Sequence, residues 1–366
     1  MSFTDELIPP SPPPASARVN LLTLIRTRLF GSIGSTIVSV LILYLLIRYV
    51  PPLLNWLIFS ADWIGTSRED CTSGGACWAV ITARFRLFIV GFYPAEQVWR
   101  VWIAFTLLPV ALGYCLVEKL PYRRYGLTFA GFYPLITAIL LAGGLGLPEV
   151  ATSKWGGLLL TLVCGLTGIV VSLPLGVILA LGRRSNLPAI SSLCVIFIEF
   201  IRGVPLITIL FMSSVMLPLF LPPGTTMDQM LRALVGISLF ASAYMAEVIR
   251  SGLQSIPKGQ YEAADALGLG YWQSMRLIIL PQALKIVIPG IVSTFISLFK
   301  DTSLVLIIGL YDLLGIANAT ITDTKWIGLS NEVYVFTALV YWVFCFSMSR
   351  YSLYLEDKLH KGHKKK

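Results

Sequence analysis

Charge is scarce in this sequence. Only 13% of its 366 residues are Asp, Glu, Lys or Arg, against 56% hydrophobic. A soluble domain of this size carries roughly a quarter charged residues, so a soluble fold is excluded. The mean hydropathy of +0.78 agrees. Histidine is scarcer still: His360 and His363 both lie in the C-terminal tail, which removes histidine-based acid–base chemistry from the apolar interior. Cysteine occurs without metal-ligand spacing, and Cys115, Cys164, Cys194 and Cys345 stand singly in apolar runs as small core residues. No metal site is expected. The sequence has no Gly-x-x-x-x-Gly-Lys-[Ser/Thr] run, so the chain lacks the backbone cradle and lysine that hold ATP phosphates.

What is present is a series of apolar stretches near the ~20 residues that a membrane helix needs. Eight are expected, at roughly 29–50, 98–117, 127–147, 157–181, 192–221, 231–250, 284–311 and 333–353. The fifth and seventh are over-long and could tilt, break or run on into an interfacial helix. The fold class is therefore all-α and membrane-embedded. Residues 1–28, with a Pro-rich run from Pro9 to Pro14, read as a disordered N-terminus. Residues 29–150 form a three-span N-terminal part, 151–353 hold five spans and most of the polar chemistry, and 354–366 form a basic tail.

The net charge of +9 does not imply nucleic acid. Arg18, Arg26 and Arg28, then Lys119, Arg123 and Arg124, then Arg183 and Arg184, then Arg250, Lys258, Arg276 and Lys285, and finally the lysine-rich tail all fall on one side if there are eight spans. The other loops carry Asp62, Glu69, Asp70, Glu149, Asp228, Asp323 and Glu332. The positive-inside rule places both termini in the cytoplasm, and the tail is a solvated terminus that touches anionic lipid. The largest outer loop, 51–97, contains Cys71 and Cys77 around a short polar stretch. They form a disulfide if that loop faces an oxidising compartment, and two nearby free thiols otherwise.

The inner loop at about 251–283 has its own order. Ser255 suits an N-cap, Pro257 a first helical turn and Gly268 a helix stop, with small Ala263, Ala264 and Ala266 between them. A second short helix is expected from Tyr271 to about Leu280, ended by Pro281. The run Tyr261-Glu262-Ala263-Ala264, then Gly268, Ile278 and Leu280-Pro281 resembles the EAA loop of bacterial ABC importer permeases of MetI-like fold. The resemblance implies that Tyr261, Glu262, Ala263, Ala264, Gly268 and Pro281 belong to a coupling element that docks on a separate ATPase.

Ionisable residues inside lipid are costly and usually functional. Glu199 and Arg202 stand three apart and can meet on one helix face just before Pro205. Arg202-Gly203-Val204-Pro205-Leu206 resembles a signature of polar amino-acid permeases, with Val204 in place of Thr. Lys300-Asp301-Thr302-Ser303-Leu304 resembles another. Ser242, Tyr244 and Glu247 lie where that family lines its path, with a Glu247–Arg250 pair as the plain alternative. Ser297 accompanies the Lys300 segment, and Thr161 is a further path candidate. Cys77-Trp78-Ala79 with Gly91-Phe92-Tyr93-Pro94 resembles the M-type subunit of general L-amino-acid transporters. Together these imply an inner-membrane permease subunit of an ATP-driven amino-acid importer. They also imply a homologous Q-type partner in a heterodimer, two ATPase subunits that use ATP and Mg, and a periplasmic binding protein, with no cofactor on this chain. The charges alone would also suit a stand-alone secondary transporter of a small polar solute.

Overall fold

The computed structural model describes residues 29–222 and 224–361. The N-terminal segment 1–28 and the last five residues, including His363, lie outside them. Among the described residues there are no strands, only isolated bridges. The protein is an all-α membrane protein. Among the described residues, seven helices are long and apolar enough to cross a membrane, or eight if one sharply bent pair counts as a span.

The chain divides into two compact units, one holding residues up to 63 with 71–77, the other 64–70 and everything from 78. In the first, α1 (Ile33–Leu54) starts at a Ser32 capping box and runs through Pro51 and Pro52 into a π turn, Asn55–Phe59. After it, Asp62 accepts hydrogen bonds from the Ser73 amide and hydroxyl at 3.1 and 2.7 Å. The Ala76 amide donates to the Trp56 carbonyl at 2.8 Å. The Cys71 and Cys77 sulfurs are joined, with the Cα atoms 5.7 Å apart.

The second unit holds α2 (Ala79–Val90), α3 (Val98–Leu116), α4 (Arg123–Ala142), α5 (Gly157–Arg183), α6 (Pro188–Gly203), α7 (Leu206–Phe211), α8 (Gln229–Gln254) and α9 (Lys258–Ala266). It continues with α10 (Tyr271–Ser274), a π turn at Met275–Ile279, α11 (Leu280–Ile286), α12 (Ile288–Asp301), a 3-10 segment at Thr302–Ile308, α13 (Leu313–Ile321) and α14 (Ser330–Lys361). Helix α5 is the hub: it packs on α2, α6, α8, α12 and α13, and most extensively on α8. The two run parallel. Thr152, just before α5, donates to Asp228 at the start of α8 at 2.5 Å, while Arg183 at the end of α5 reaches Glu247 near the end of α8 at 3.4 Å.

The over-long fifth stretch breaks. Helix α6 and the segment Leu206–Phe220 are bent by 108°. Pro205 has no amide to continue the ladder and disfavours helical backbone at the residue before it, and Val204 is accordingly extended at φ −110°, ψ 135°. The over-long seventh stretch ends as a 3-10 segment closed by Gly309.

Two helices lie where loops were expected. Helix α2 sits inside the expected outer loop, and its Arg84 and Arg86 had masked an otherwise apolar segment. Arg84 pairs with Asp323, and Arg86 donates to the Tyr93 carbonyl at 2.9 Å. Helix α13 is too short for a span. The fully buried Asp312 caps it, accepting from the Leu314 and Gly315 amides at 3.2 and 2.9 Å and from the Tyr341 hydroxyl at 2.9 Å. Burial raises the Asp312 carboxyl above its ordinary range, and those amide and hydroxyl donors oppose the shift.

Gly157 is the tightest joint between α2 and α5. Its φ is +62°, and a Cβ there would lie 2.3 Å from the Phe88 carbonyl oxygen. Backbone strain and overpacking act together at this position. Gly157→Ala is expected to destabilise the protein by more than ~2 kcal/mol. Thermal unfolding in detergent checks this, and an unchanged midpoint would contradict the packing described.

Candidate functional site

The loop between α8 and α11 is built on the ends of three core helices. Ala180, Ile198, Met245, Ile249, Leu253, Met275 and Ile279 form one apolar cluster beneath it. Ser255 is not the N-cap of α9. Its hydroxyl donates back to the Ser251 carbonyl at 2.9 Å and closes α8, and Pro257 takes the cap position of α9 with φ −57°, ψ 141°. Gly268 ends the helix with φ +72°. The Leu269 amide donates to the Ala264 carbonyl and the Gly268 amide to that of Asp265, at 3.2 and 2.9 Å, the paired bonds of a Schellman closure.

Pro281 does not end the second helix. The π turn before it hands the Leu280 amide to the Met275 carbonyl, so the ladder has already shifted where the proline amide is missing, and α11 runs on to Ile286. Of the six loop residues, Glu262, Ala263, Gly268 and Pro281 are exposed, while Ala264 is buried. Tyr261 faces inward. Its hydroxyl donates to the Leu253 carbonyl at 3.1 Å and accepts from Arg184 at 3.0 Å, with that guanidinium 5.5 Å from its ring centre. Leu267, 74% exposed, shares the outward side with Ala263 by helical spacing.

Above the loop sits a charge cluster whose pairing differs from the sequence expectation. Glu199 and Arg202 do not bond each other. Arg183 donates to Glu199 at 2.9 Å and to Glu247 at 3.4 Å, and Arg202 lies 3.7 Å from Glu247. Arg250 grips Glu247 through Nε at 3.0 and 2.9 Å and through its terminal nitrogen. Arg202 also lies 5.6 Å from the Tyr244 ring centre. Glu247 is thus held by three arginines from three helices. Arg183 and Arg184, which from sequence only orient the chain, turn out to tie the loop and α8 to α5.

One turn further in, a cavity of about 260 Å³ is lined by Phe240, Ala241 and Tyr244 of α8 and by Ser293, Thr294, Ser297, Leu298 and Asp301 of α12. Tyr244, Ser297 and Asp301 therefore come together as expected path residues, and Ser293 and Thr294 join them through helical spacing from Ser297. The Asp301 carboxylate makes no hydrogen bond or ion pair to another side chain among the described residues. Thr161, Ser242 and Thr302 lie elsewhere: each is fully buried, and their hydroxyls donate to the carbonyls of Gly157, Ser238 and Phe299. Lys300 is exposed outside the cavity.

Comparison with known proteins adds the following. Residues 172–361 match the model of the binding-protein-dependent transport system inner membrane component. The chain is 52% identical to an inner membrane amino-acid ABC transporter permease of Escherichia coli K12, covering 98% of this chain and 99% of that protein. It is 43% identical to a glutamate/glutamine/aspartate/asparagine transport system permease of Rhodobacter capsulatus, covering 98% of each. A probable glutamine ABC transporter permease of Bacillus subtilis is 39% identical over 53% of this chain and 88% of its own length.

The two glutamates of the cluster differ in consequence. The Glu247 side chain is 24% exposed and Glu199 54%. Glu247→Ala leaves Arg202 and Arg250 without their carboxylate beside Arg183, which keeps only Glu199, and is expected to destabilise the protein by ~2–3 kcal/mol, while Glu199→Ala stays within ~0.5 kcal/mol. Thermal unfolding of the two variants side by side checks the order, and equal effects would refute it.

Proposed function

Since the chain belongs to the inner membrane components of binding-protein-dependent transport systems and is the permease subunit of an amino-acid ABC importer, we propose that Asp301 holds the substrate's ammonium group and that the face of α9 is the ATPase contact. The observation that carries the first part is an unpaired carboxylate on a cavity between α8 and α12. Glu247, which lies where the family lines its path, is already held by Arg183, Arg202 and Arg250. Ser293, Thr294 and Ser297 supply hydroxyls beside Asp301 for the polar remainder of an amino acid. The cluster below the cavity then acts as structure at the cytoplasmic end of the path.

The second part rests on the division of labour in the loop. Tyr261 and Ala264 fix α9 to the permease, while Glu262, Ala263, Leu267 and Gly268 face out. An ATPase subunit that moves this short helix moves Tyr261, and with it Arg184 and the ends of α5 and α8. In this reading the chain pairs with a homologous Q-type subunit, works with two ATPase subunits that bind ATP and Mg, and is fed by a periplasmic binding protein. The bent α6–α7 pair counts as one crossing, and the loop at 251–283 lies in the cytoplasm with both termini. A stand-alone secondary transporter would have no use for an outward-facing helix so rigidly tied to the core.

Two variants test this. Asp301→Asn keeps the shape and removes the charge, and losing a charge-assisted bond typically costs ~1.5–3 kcal/mol. The expectation is that the substrate concentration for half-maximal uptake rises ~10–100-fold in a normally assembled complex. Normal uptake would remove Asp301 from the path. At Gly268 a Cβ would meet no atom within 4 Å, so the main cost of Gly268→Val is the φ of +72°. It should leave the spans inserted while ATP hydrolysis in reconstituted vesicles no longer drives uptake, and wild-type uptake would mean α9 is not the coupling element.

A further inference from the structure

A second cavity lies away from the transport path. It is about 210 Å³, larger than the ~150 Å³ apolar cavities that stay dry and take up apolar guests. Leu108, Leu112 and Cys115 of α3, Ala130 and Pro134 of α4 and Leu166 of α5 are among its walls. Its lining runs from Ala104 to Cys115 on α3 and from Ala130 to Leu141 on α4, which at 1.5 Å per residue is ~16 Å. That is about half of the ~30 Å hydrocarbon core, the depth of one leaflet. The cleft is open at the end where Leu112 and Val170 are 40% and 52% exposed and Cys115 is exposed, and Ala138 on its α4 wall is exposed as well.

The open end adjoins a positive turn. Glu118 and Lys119 stand between α3 and α4, and Arg123 and Arg124 open α4. Glu118 is taken by Lys358 at 2.5 Å. Lys119, Arg123 and Arg124 make no salt bridge among the described residues, although Arg123 lies near enough to Glu118 to help Lys358 hold its carboxyl low, and Arg123 Nε is buried without a hydrogen-bond partner. The first turn of α4 has no acidic residue and no side-chain cap, so its amide dipoles add to the same positive charge. Tyr122 and Tyr125, 79% and 74% exposed, mark this turn as the headgroup level, where such rings concentrate.

We propose that this cleft is a binding site for an anionic phospholipid, with one acyl chain between α3, α4 and α5 and the phosphate against Lys119, Arg123 and Arg124. An apolar channel one leaflet deep, ending at three unpaired cations in the interface, matches that amphiphile and no water-soluble ligand. The bound lipid fills the gap between the α3–α4 hairpin and α5, away from the transport cavity.

The purified transporter complex is equilibrated in detergent with palmitoyl-oleoyl phosphatidylglycerol or the matching phosphatidylcholine, and retained lipid is counted by native mass spectrometry. Each cation near a charged lipid surface contributes about 1 kcal/mol, so ~10-fold or greater preference for phosphatidylglycerol is expected. Arg123→Gln with Arg124→Gln should bring the preference close to unity, and Ala138→Phe, which fills the cleft wall, should reduce retention of both lipids. Equal retention of the two lipids by the native complex would overturn the proposal, as would undiminished retention in both variants. Labelling of Cys115 by N-ethylmaleimide needs no variant. Phosphatidylglycerol, and not phosphatidylcholine, should slow it in the native complex, and unchanged labelling, as when another protein subunit covers the cleft, would sink the idea.

Discussion

The close approach of α5 to α8 and α12 is the constraint on which the rest of this structure depends. Lipid supplies no hydrophobic force between helices, so they associate by tight packing, and small residues let the backbones come near. Gly165, Gly168, Ser172 and Gly176 form one stripe on α5. A Cβ at Gly165 would sit 3.0 Å from the Phe299 ring, one at Gly168 2.8 Å from Leu298, and one at Gly176 2.6 Å from Met245. Leu298 and Phe299 belong to the helix that carries Asp301, and Met245 to the one that carries Tyr244 and Glu247. The same stripe therefore sets the spacing of the cavity walls and brings Arg183 within reach of Glu247. Larger residues along it would disperse both sites at once.

Much of this was legible in the sequence because membrane helices declare themselves by length and composition. The run at 157–181 becomes α5 with nearly the same bounds, and Gly268 takes the positive φ that a helix stop before a turn suggests. The parts that were not legible depend on neighbours distant in the chain. Glu199 and Arg202 have the right spacing to pair, yet Arg183 and Glu247 offer each a better partner. Tyr261 carries no sequence mark that separates an inward anchor from an outward contact. Helix α2 was hidden by Arg84 and Arg86, whose partners Asp323 and the Tyr93 carbonyl lie elsewhere. The polar residues Thr161, Ser242 and Thr302 satisfy carbonyls of their own helices, which a membrane interior favours. Hydroxyls in such helices therefore say less about a transport path than a carboxylate does. The glycine stripe on α5 was readable from its spacing, and it is the signal that would have named the central helix pair.

The two acidic groups Glu247 and Asp301 differ in how far their oxygens are already paired. Glu247 has more arginine donors than it has oxygens, so a passing cation finds no open acceptor there. Asp301 lines a cavity, and among the described residues its carboxylate has no salt-bridge partner. Sequence position does not separate them, because both lie in stretches similar to path segments of related permeases. What decides is the occupancy of the carboxylate oxygens, a property of the assembled helices and not of either segment.

Hydrogen bonds between distant segments also sort the ends of the helices into two levels, and this bears on the bent pair. One level joins the Tyr93 hydroxyl to the Leu141 carbonyl, Arg100 to the Pro148 carbonyl, and Thr152 to Asp228. The other joins Tyr351 to the Leu116 carbonyl and Lys358 to Glu118 on one flank, and Arg184 to Tyr261 and the Leu253 carbonyl on the other. Helices α5 and α8 both run from the first level to the second. The chain between them must then return from the second level to the first, and that stretch is the 108° bent pair. Pro205 bends the return path without cancelling it. A re-entrant hairpin would have left Arg184 and Tyr261 at opposite levels, whereas they are 3.0 Å apart. The second level gathers Lys119, Arg123, Arg124, Arg183, Arg184, Arg250 and Lys258 against Glu118, Glu199 and Glu247, and the first holds Glu149 and Asp228 beside Arg100 and Lys154. The excess of Lys and Arg over Asp and Glu is therefore larger at the second level than at the first.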